Sequence, residues 1–154
     1  MRDLVLSGCL LFASLLPVTA LSADAPKPIT PASLEGATVV DAKKAEELVK
    51  GGKVKVYDVR KKLEFAEEHI PGAEFLPYDE KSEKKVDYDA TADKFETEKL
   101  PSDKSAGVMF YCNGPDCWKS MKSCKAAIKA GHKKVYWFRG GLPEWKKAGH
   151  ATEK

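Results

Sequence analysis

Residues 53–78 read KVKVYDVRKKLEFAEEHIPGAEFLPY. The apolar run at 54–58 gains polar residues at its end, Asp58 and then Arg60, as a buried strand does when it delivers side chains to a rim. KKLEFAEEH follows as a short helix, IPGA as a turn, and EFLPY as a second short strand. Strand, helix, turn and strand in this order predict a crossover unit of a parallel sheet.

The alternation continues on both sides. Upstream, VVDAKKAEELVKGG places Asp41 as an N-cap and Ala45, Leu48 and Val49 on one helical face, with Gly51-Gly52 as the stop. Downstream, GVMFY at 107–111 is the most apolar strand. CWKSMKSCKAAIKAG after it spaces Met121, Cys124 and Ile128 as one helical face and ends at Gly131. KKVYWFRGG is a last strand, and LPEWKKAG a helix with Pro143 near its first turn. No segment repeats. The expected architecture is α/β, a parallel sheet with helices on both faces, and such a sheet places ligand chemistry at the carboxyl ends of its strands. Asp58-Val59-Arg60 and Cys112 both fall at strand ends, hence on one rim. The charged stretch 79–104 is poor in large apolar residues and predicts a mobile surface excursion with a weak helix around Phe95.

The chain opens MRDLVLSGCLLFASLLPVTALSADAPKP. A short charged start, an apolar run from Leu4 to Val18 and small residues after it predict a secretory signal over 1–23, cleaved after Ala23 or, alternatively, Ala20. LSGC at Cys9 imitates a lipoprotein box, but it comes too early in the apolar run for lipidation to be expected. Residues 24–37, rich in Pro, Ala and Ser, read as a linker, and 38–150 as one domain. No second apolar span follows, so the mature protein is expected to be periplasmic or secreted, without membrane contact after cleavage. Its 26 basic and 23 acidic residues leave a net charge of +3. The two signs are interspersed, which speaks for a solvated surface rather than a nucleic-acid footprint.

Of the four cysteines, Cys9 leaves with the signal. Three remain, and an odd count in an exported chain leaves at least one thiol free or reactive. YCNGPDCWKS holds two of them. Cys112 ends the apolar strand; Asn113, Gly114, Pro115 and Asp116 form a turn; Cys117, Trp118 and Lys119 open the next helix. Such a turn predicts backbone N–H groups and a helix N-terminus around Cys112, which favour a thiolate and could hold an oxyanion. The plain alternative is that Cys112 only ends a core strand. Cys117 is either a structural staple to Cys112 or a resolving thiol. Zinc is not expected, because the gap is four residues and no fourth ligand is near, so no metal or organic cofactor is assigned. A thioredoxin-type pair would need a gap of two. Cys124 reads as buried packing, His69 as a hydrogen-bonded turn residue, and His132 and His150 as exposed surface. Trp118 reads as a lid over the cysteine or an exposed partner contact, Trp137 and Trp145 as core, and Arg60 as paired to Asp58 or Glu64.

VYDVRKKLEFAEEHIPGAEFLPY resembles the rhodanese pattern: strand, Asp-x-Arg, short helix, then His-Ile-Pro-Gly-Ala before the next strand. MFYC with its short loop and Ser-bearing helix resembles the active-site loop of that family, and GHKKVYWFRGGLPEWKKAG its closing strand and Gly-Gly-x-x-x-Trp helix. The likeness covers about residues 38–150. It implies a five-stranded parallel sheet and a cysteine, here Cys112, that carries sulfane sulfur as a persulfide, with Asp58, Arg60 and the His69–Gly72 turn supporting the loop. Single-domain members usually carry arginine five residues after the nucleophile. This chain has Cys117 there and Trp118 next, which also disfavours the phosphate chemistry of related phosphatases and arsenate reductases. Lys119 supplies positive charge without arginine's fork. The expected function is an exported sulfurtransferase, taking sulfur from a small sulfur-containing anion or persulfide donor and passing it to a thiol acceptor or reductant protein. The alternatives are a non-catalytic binding module of the same fold and a thiol–disulfide redox protein using Cys112 and Cys117.

Overall fold

The computed structural model describes residues 26–154; the expected signal segment and Cys9 lie outside the described residues. Five parallel strands form one sheet. In chain order the elements are β1 (Ala37–Val39), α1 (Ala42–Lys50), β2 (Val54–Asp58), α2 (Lys62–Glu67), β3 (Glu74–Phe75), β4 (Gly107–Tyr111), α3 (Lys119–Lys129), β5 (Lys134–Phe138) and α4 (Gly141–Lys147). The sheet order β1-β5-β4-β2-β3 puts β4 at the centre. All five residues of β4 are buried, as a parallel strand covered on both faces requires.

Alternate side chains of β4 serve two cores. Val108 and Phe110 join Trp137, Met121 and Cys124 on the α3 face, whereas Met109 and Tyr111 join Ala45, Phe138, Leu142 and Trp145 on the face covered by α1 and α4. The Asp41 carboxylate caps α1, accepting from Lys44 N–H at 2.8 Å, and Gly52 at φ 59° lets the chain turn back into β2. Beyond β3 the pairing runs on, with Leu76 N–H donating to Asp58 O at 3.0 Å and Tyr78 N–H to Val59 O at 3.2 Å. Pro77 lies between them, where no donor is needed.

Three expectations are corrected. Residues 79–104 hold no helix around Phe95: 3₁₀ turns at Ala90–Ala92 and Thr97–Lys99 flank it, and its ring packs 5.3 Å from Tyr78 and 6.0 Å from Phe110. Tertiary aromatic packing, rather than a helical face, fixes that side chain. His132 is buried, its Nε2 accepting from Lys104 Nζ at 3.1 Å. His150 packs on the Trp145 ring, with Nδ1 3.0 Å from the Glu46 carboxylate. Both histidines sit just past helix ends, where the chain folds back on its own helix (His132 N–H to Ala127 O, His150 N–H to Trp145 O). Among the described residues no helix is long and apolar enough to cross a membrane.

Candidate functional site

The register of β2 against β4 pairs Asp58 with Tyr111, so the two motifs leave the sheet side by side. Asp58 is fully buried, and its carboxylate accepts from Arg60 N–H, from the Arg60 guanidinium through Nε and Nη2, and from Tyr111 O–H at 2.7 Å. Arg60 Nη2 also donates to Glu68 O at 2.6 Å and so ties off the end of α2. Burial would weaken the proton's hold on the guanidinium, but Asp58 outweighs it and the Arg60 pKa is raised. Burial, with the Asp58 charge beside it, pushes the Tyr111 hydroxyl up, so it stays a neutral donor. Arg60 is thus a structural strut, as its spacing from Asp58 suggested. Tyr111 was not singled out from sequence; its signal is a hydroxyl on a buried strand, which must find a partner.

Cys112 follows β4 directly and is joined to Cys117 by a disulfide, with Cα atoms 6.2 Å apart. Between them Gly114, at φ 119°, starts a tight turn closed by Cys117 N–H to Gly114 O at 3.0 Å. That bond takes up one of the N–H groups expected to ring Cys112, and α3 starts at Lys119, two residues later than expected. From below, α4 supports the loop: Leu142 N–H donates to Cys112 O at 3.0 Å, and Gly141 lies so close that a Cβ would collide with that carbonyl. From the side, the segment expected to be a linker lies on the loop. Thr30 donates to Pro115 O from both N–H (2.8 Å) and Oγ1 (2.7 Å), while Arg139 Nη2 donates to Thr30 O at 2.7 Å. Trp118 is neither lid nor exposed contact: it is buried, and its indole N–H donates to Pro28 O at 2.9 Å. An indole can be buried at such a site because a backbone carbonyl is there to receive its N–H.

Cys112 and Cys117 line an open cleft of about 380 Å³ with Arg60, Lys61, Glu64, Asn113 and Lys119. Asn113 Nδ2 donates to Glu64 Oε1 at 2.5 Å. Burial would raise the Glu64 pKa, but the Asn113 amide, the Lys61 N–H and the charges of Arg60 and Lys119 hold it below the ordinary carboxylate value. Of the predicted loop residues, Asn113 and Lys119 line this cleft; Gly114, Pro115, Asp116 and Trp118 do not. His69 is likewise outside it: its Nδ1 donates to Phe65 O at 2.9 Å, its ring stacks on Phe65, and its backbone pairs with Glu153. Cys124 is buried away from the cleft, and burial pushes its thiol pKa well up. Among the described residues no group of His, Cys, Asp or Glu is arranged to hold a metal ion.

The family model of the rhodanese-like domain matches residues 41–148. No curated protein matches the sequence significantly. Among solved structures, the BH2092 protein of Bacillus halodurans is 25% identical with a TM-score of 0.57, over 76% of this chain and 77% of that one. The Alr3790 protein of Anabaena is 24% identical with a TM-score of 0.54, over 74% and 79%. A thiosulfate sulfurtransferase from Pseudomonas aeruginosa is 20% identical with a TM-score of 0.57; the match covers 76% of this chain but 20% of that larger one. At such identities these likenesses speak for the fold.

Proposed function

Because the chain belongs to the rhodanese-like domain family, we propose that it is a sulfurtransferase that carries sulfane sulfur as a persulfide on Cys112 and resolves it with Cys117, outside the cytoplasm. One observation carries this reading: the family's strand-end cysteine lines a cleft together with a second cysteine close enough to bond to it. In the reduced protein the Cys112 thiolate attacks the sulfane sulfur of a small donor anion, forming the persulfide and expelling the rest of the donor; from thiosulfate, sulfite leaves. The Cys117 thiolate then attacks Cys112 Sγ of the protonated persulfide. The outer sulfur departs as hydrosulfide and the Cys112–Cys117 disulfide remains, so the two protein thiols have supplied the electrons that reduce the sulfur. A thiol reductant restarts the cycle. The apolar run at 4–18 supports export, where an oxidised pair persists. With cysteine and tryptophan at 117 and 118 the loop itself supplies no arginine fork for a tetrahedral anion, and the fork of Arg60 is taken up by Asp58, so polysulfides and organic persulfides are the better donors.

A second reading draws on the same bond: closed as a permanent staple, it would leave a binding module without turnover. Intact mass and sulfide release in a single turnover separate the two. After reduction and removal of reductant, polysulfide should add one sulfur to the Cys117→Ser variant, and that sulfur should persist. The unaltered protein should release sulfide and return to the disulfide. Cys112→Ser should never load. A chain that gains no sulfur when reduced, and whose Cys117→Ser variant loses about 2–4 kcal/mol of stability, is the stapled module.

A further inference from the structure

The cleft holding the two cysteines continues past the loop. It shares Arg60, Lys61 and Lys119 with a second depression of about 520 Å³, which Phe75 and Pro77 line and to which Lys94 adds its charge. The acids along this groove are already engaged: Glu64 by Asn113, Asp79 with Lys81 at 3.5 Å, and Glu96 with Lys99 at 2.6 Å. Lys61, Lys94 and Lys119 make no ion pair among the described residues, and the Glu64 carboxylate beside them offsets only part of their charge, so the groove keeps a net positive charge beside apolar surface. Inorganic anions would fill a small part of it. Its size suits a ligand with a peptide-like frame. At the cysteine end, exposure is unequal: Cys112 is 1% exposed, whereas Cys117 is only partly buried. A thiol arriving along the groove therefore finds more of Cys117 than of Cys112 open to it.

We infer that this groove binds an organic thiol that bears carboxylates and has the size of a di- or tripeptide, and that this thiol opens the disulfide at Cys117. The inference rests on the reading above in taking the disulfide as the resting state to be reopened. The incoming thiolate attacks Cys117 Sγ, the bond to Cys112 breaks, and Cys112 leaves as its thiolate, the species that accepts sulfur. A second molecule of the thiol attacks the ligand sulfur of the mixed disulfide. The ligand leaves as its own disulfide and Cys117 as a thiolate. Two external thiols are oxidised, one protein disulfide is reduced, and their two protons pass to the protein thiols or to water. The lysines act on encounter and seating, so their contribution is screened by salt.

The test follows reduction of the oxidised full chain by glutathione and by its diethyl ester, with rates expressed per thiolate. Glutathione should outpace the ester by about three- to tenfold at low ionic strength, and the advantage should collapse near about 0.5 M salt. In a Lys61→Gln/Lys94→Gln variant the ratio of the two rates should fall towards one. Acid quench and peptide mapping should find the trapped adduct on Cys117. Equal rates for the two thiols, a ratio that survives the substitutions, or an adduct on Cys112 would each overturn the inference. None of these rates needs a persulfide. A chain that prefers glutathione but never loads sulfur keeps the groove and loses the sulfurtransferase reading; one that loads without the preference does the reverse.

Discussion

Asp58 is surrounded by donors it cannot do without: the Arg60 backbone and guanidinium on one side and the Tyr111 hydroxyl on the other, all inside the protein. Arg60→Met would strand that carboxylate, so we expect a loss of about 3–5 kcal/mol in urea unfolding, with part of it recovered in Asp58→Asn/Arg60→Met. Recovery would show that the guanidinium chiefly answers Asp58; no recovery would mean that its bonds to the Glu64 and Glu68 carbonyls carry the loss. Gly141→Ala should cost about 2–4 kcal/mol by the same assay, because φ is 60° and the added carbon meets Cys112 O. Much of this site was legible in the sequence. A carboxylate and a guanidinium two residues apart at a strand end announce a pair, and a cysteine after GVMFY announces its rim. Trp118 was not legible, because the group that holds it is a backbone carbonyl far back in the chain, and carbonyls leave no mark in a sequence.

The excursion between β3 and β4 shows at the level of elements how one residue elsewhere can order a charged segment. Lys122 of α3 is fully buried, with its ammonium 2.9 Å from Glu80, 2.7 Å from Ser82 Oγ and 4.6 Å from the Tyr88 ring centroid. The sequence suggested a mobile stretch because it is rich in charge and poor in apolar residues. A lysine four residues into a helix reads as solvent-facing, so its partners could not be guessed from composition. Asp93 completes the cluster. Burial would raise its pKa, but the Ser82 hydroxyl and N–H, the Lys81 N–H and the Tyr78 hydroxyl outweigh it and hold the carboxyl down to about 2. Since the folded value is depressed, this contribution is complete above the ordinary carboxylate value of about 4 and is lost as pH falls towards about 2. Hydrogen exchange should therefore show residues 79–94 opening ahead of the sheet over that interval. Asp93→Asn should open them already at neutral pH and flatten the dependence. Uniform loss of protection across sheet and excursion would contradict this.

For the whole molecule, the alternation of strands and helices was legible from period and punctuation alone, as was the meeting of β2 and β4 at one rim. The attachment of the first described residues was not, because Pro, Ala and Ser in a row look like a tether whether or not they are docked. In the structure Pro28 and Thr30 grip the loop from outside while Gly141 supports it from beneath. A chain beginning at Ala32 should lose on the order of 2 kcal/mol of stability with the four bonds of Thr30 and the one of Trp118, and thermal melts measure it. An unchanged melt would mean that the segment only rests there. The same grip gives the protein an optical property. Trp118 is hydrogen-bonded, shielded from water and next in sequence to a disulfide cysteine, and disulfides quench a neighbouring indole. Trp137 and Trp145 are buried elsewhere in the fold and serve as a steady background. Opening and closing of the Cys112–Cys117 bond should therefore brighten and dim the protein's own emission, so that its oxidation state can be followed in real time without a label.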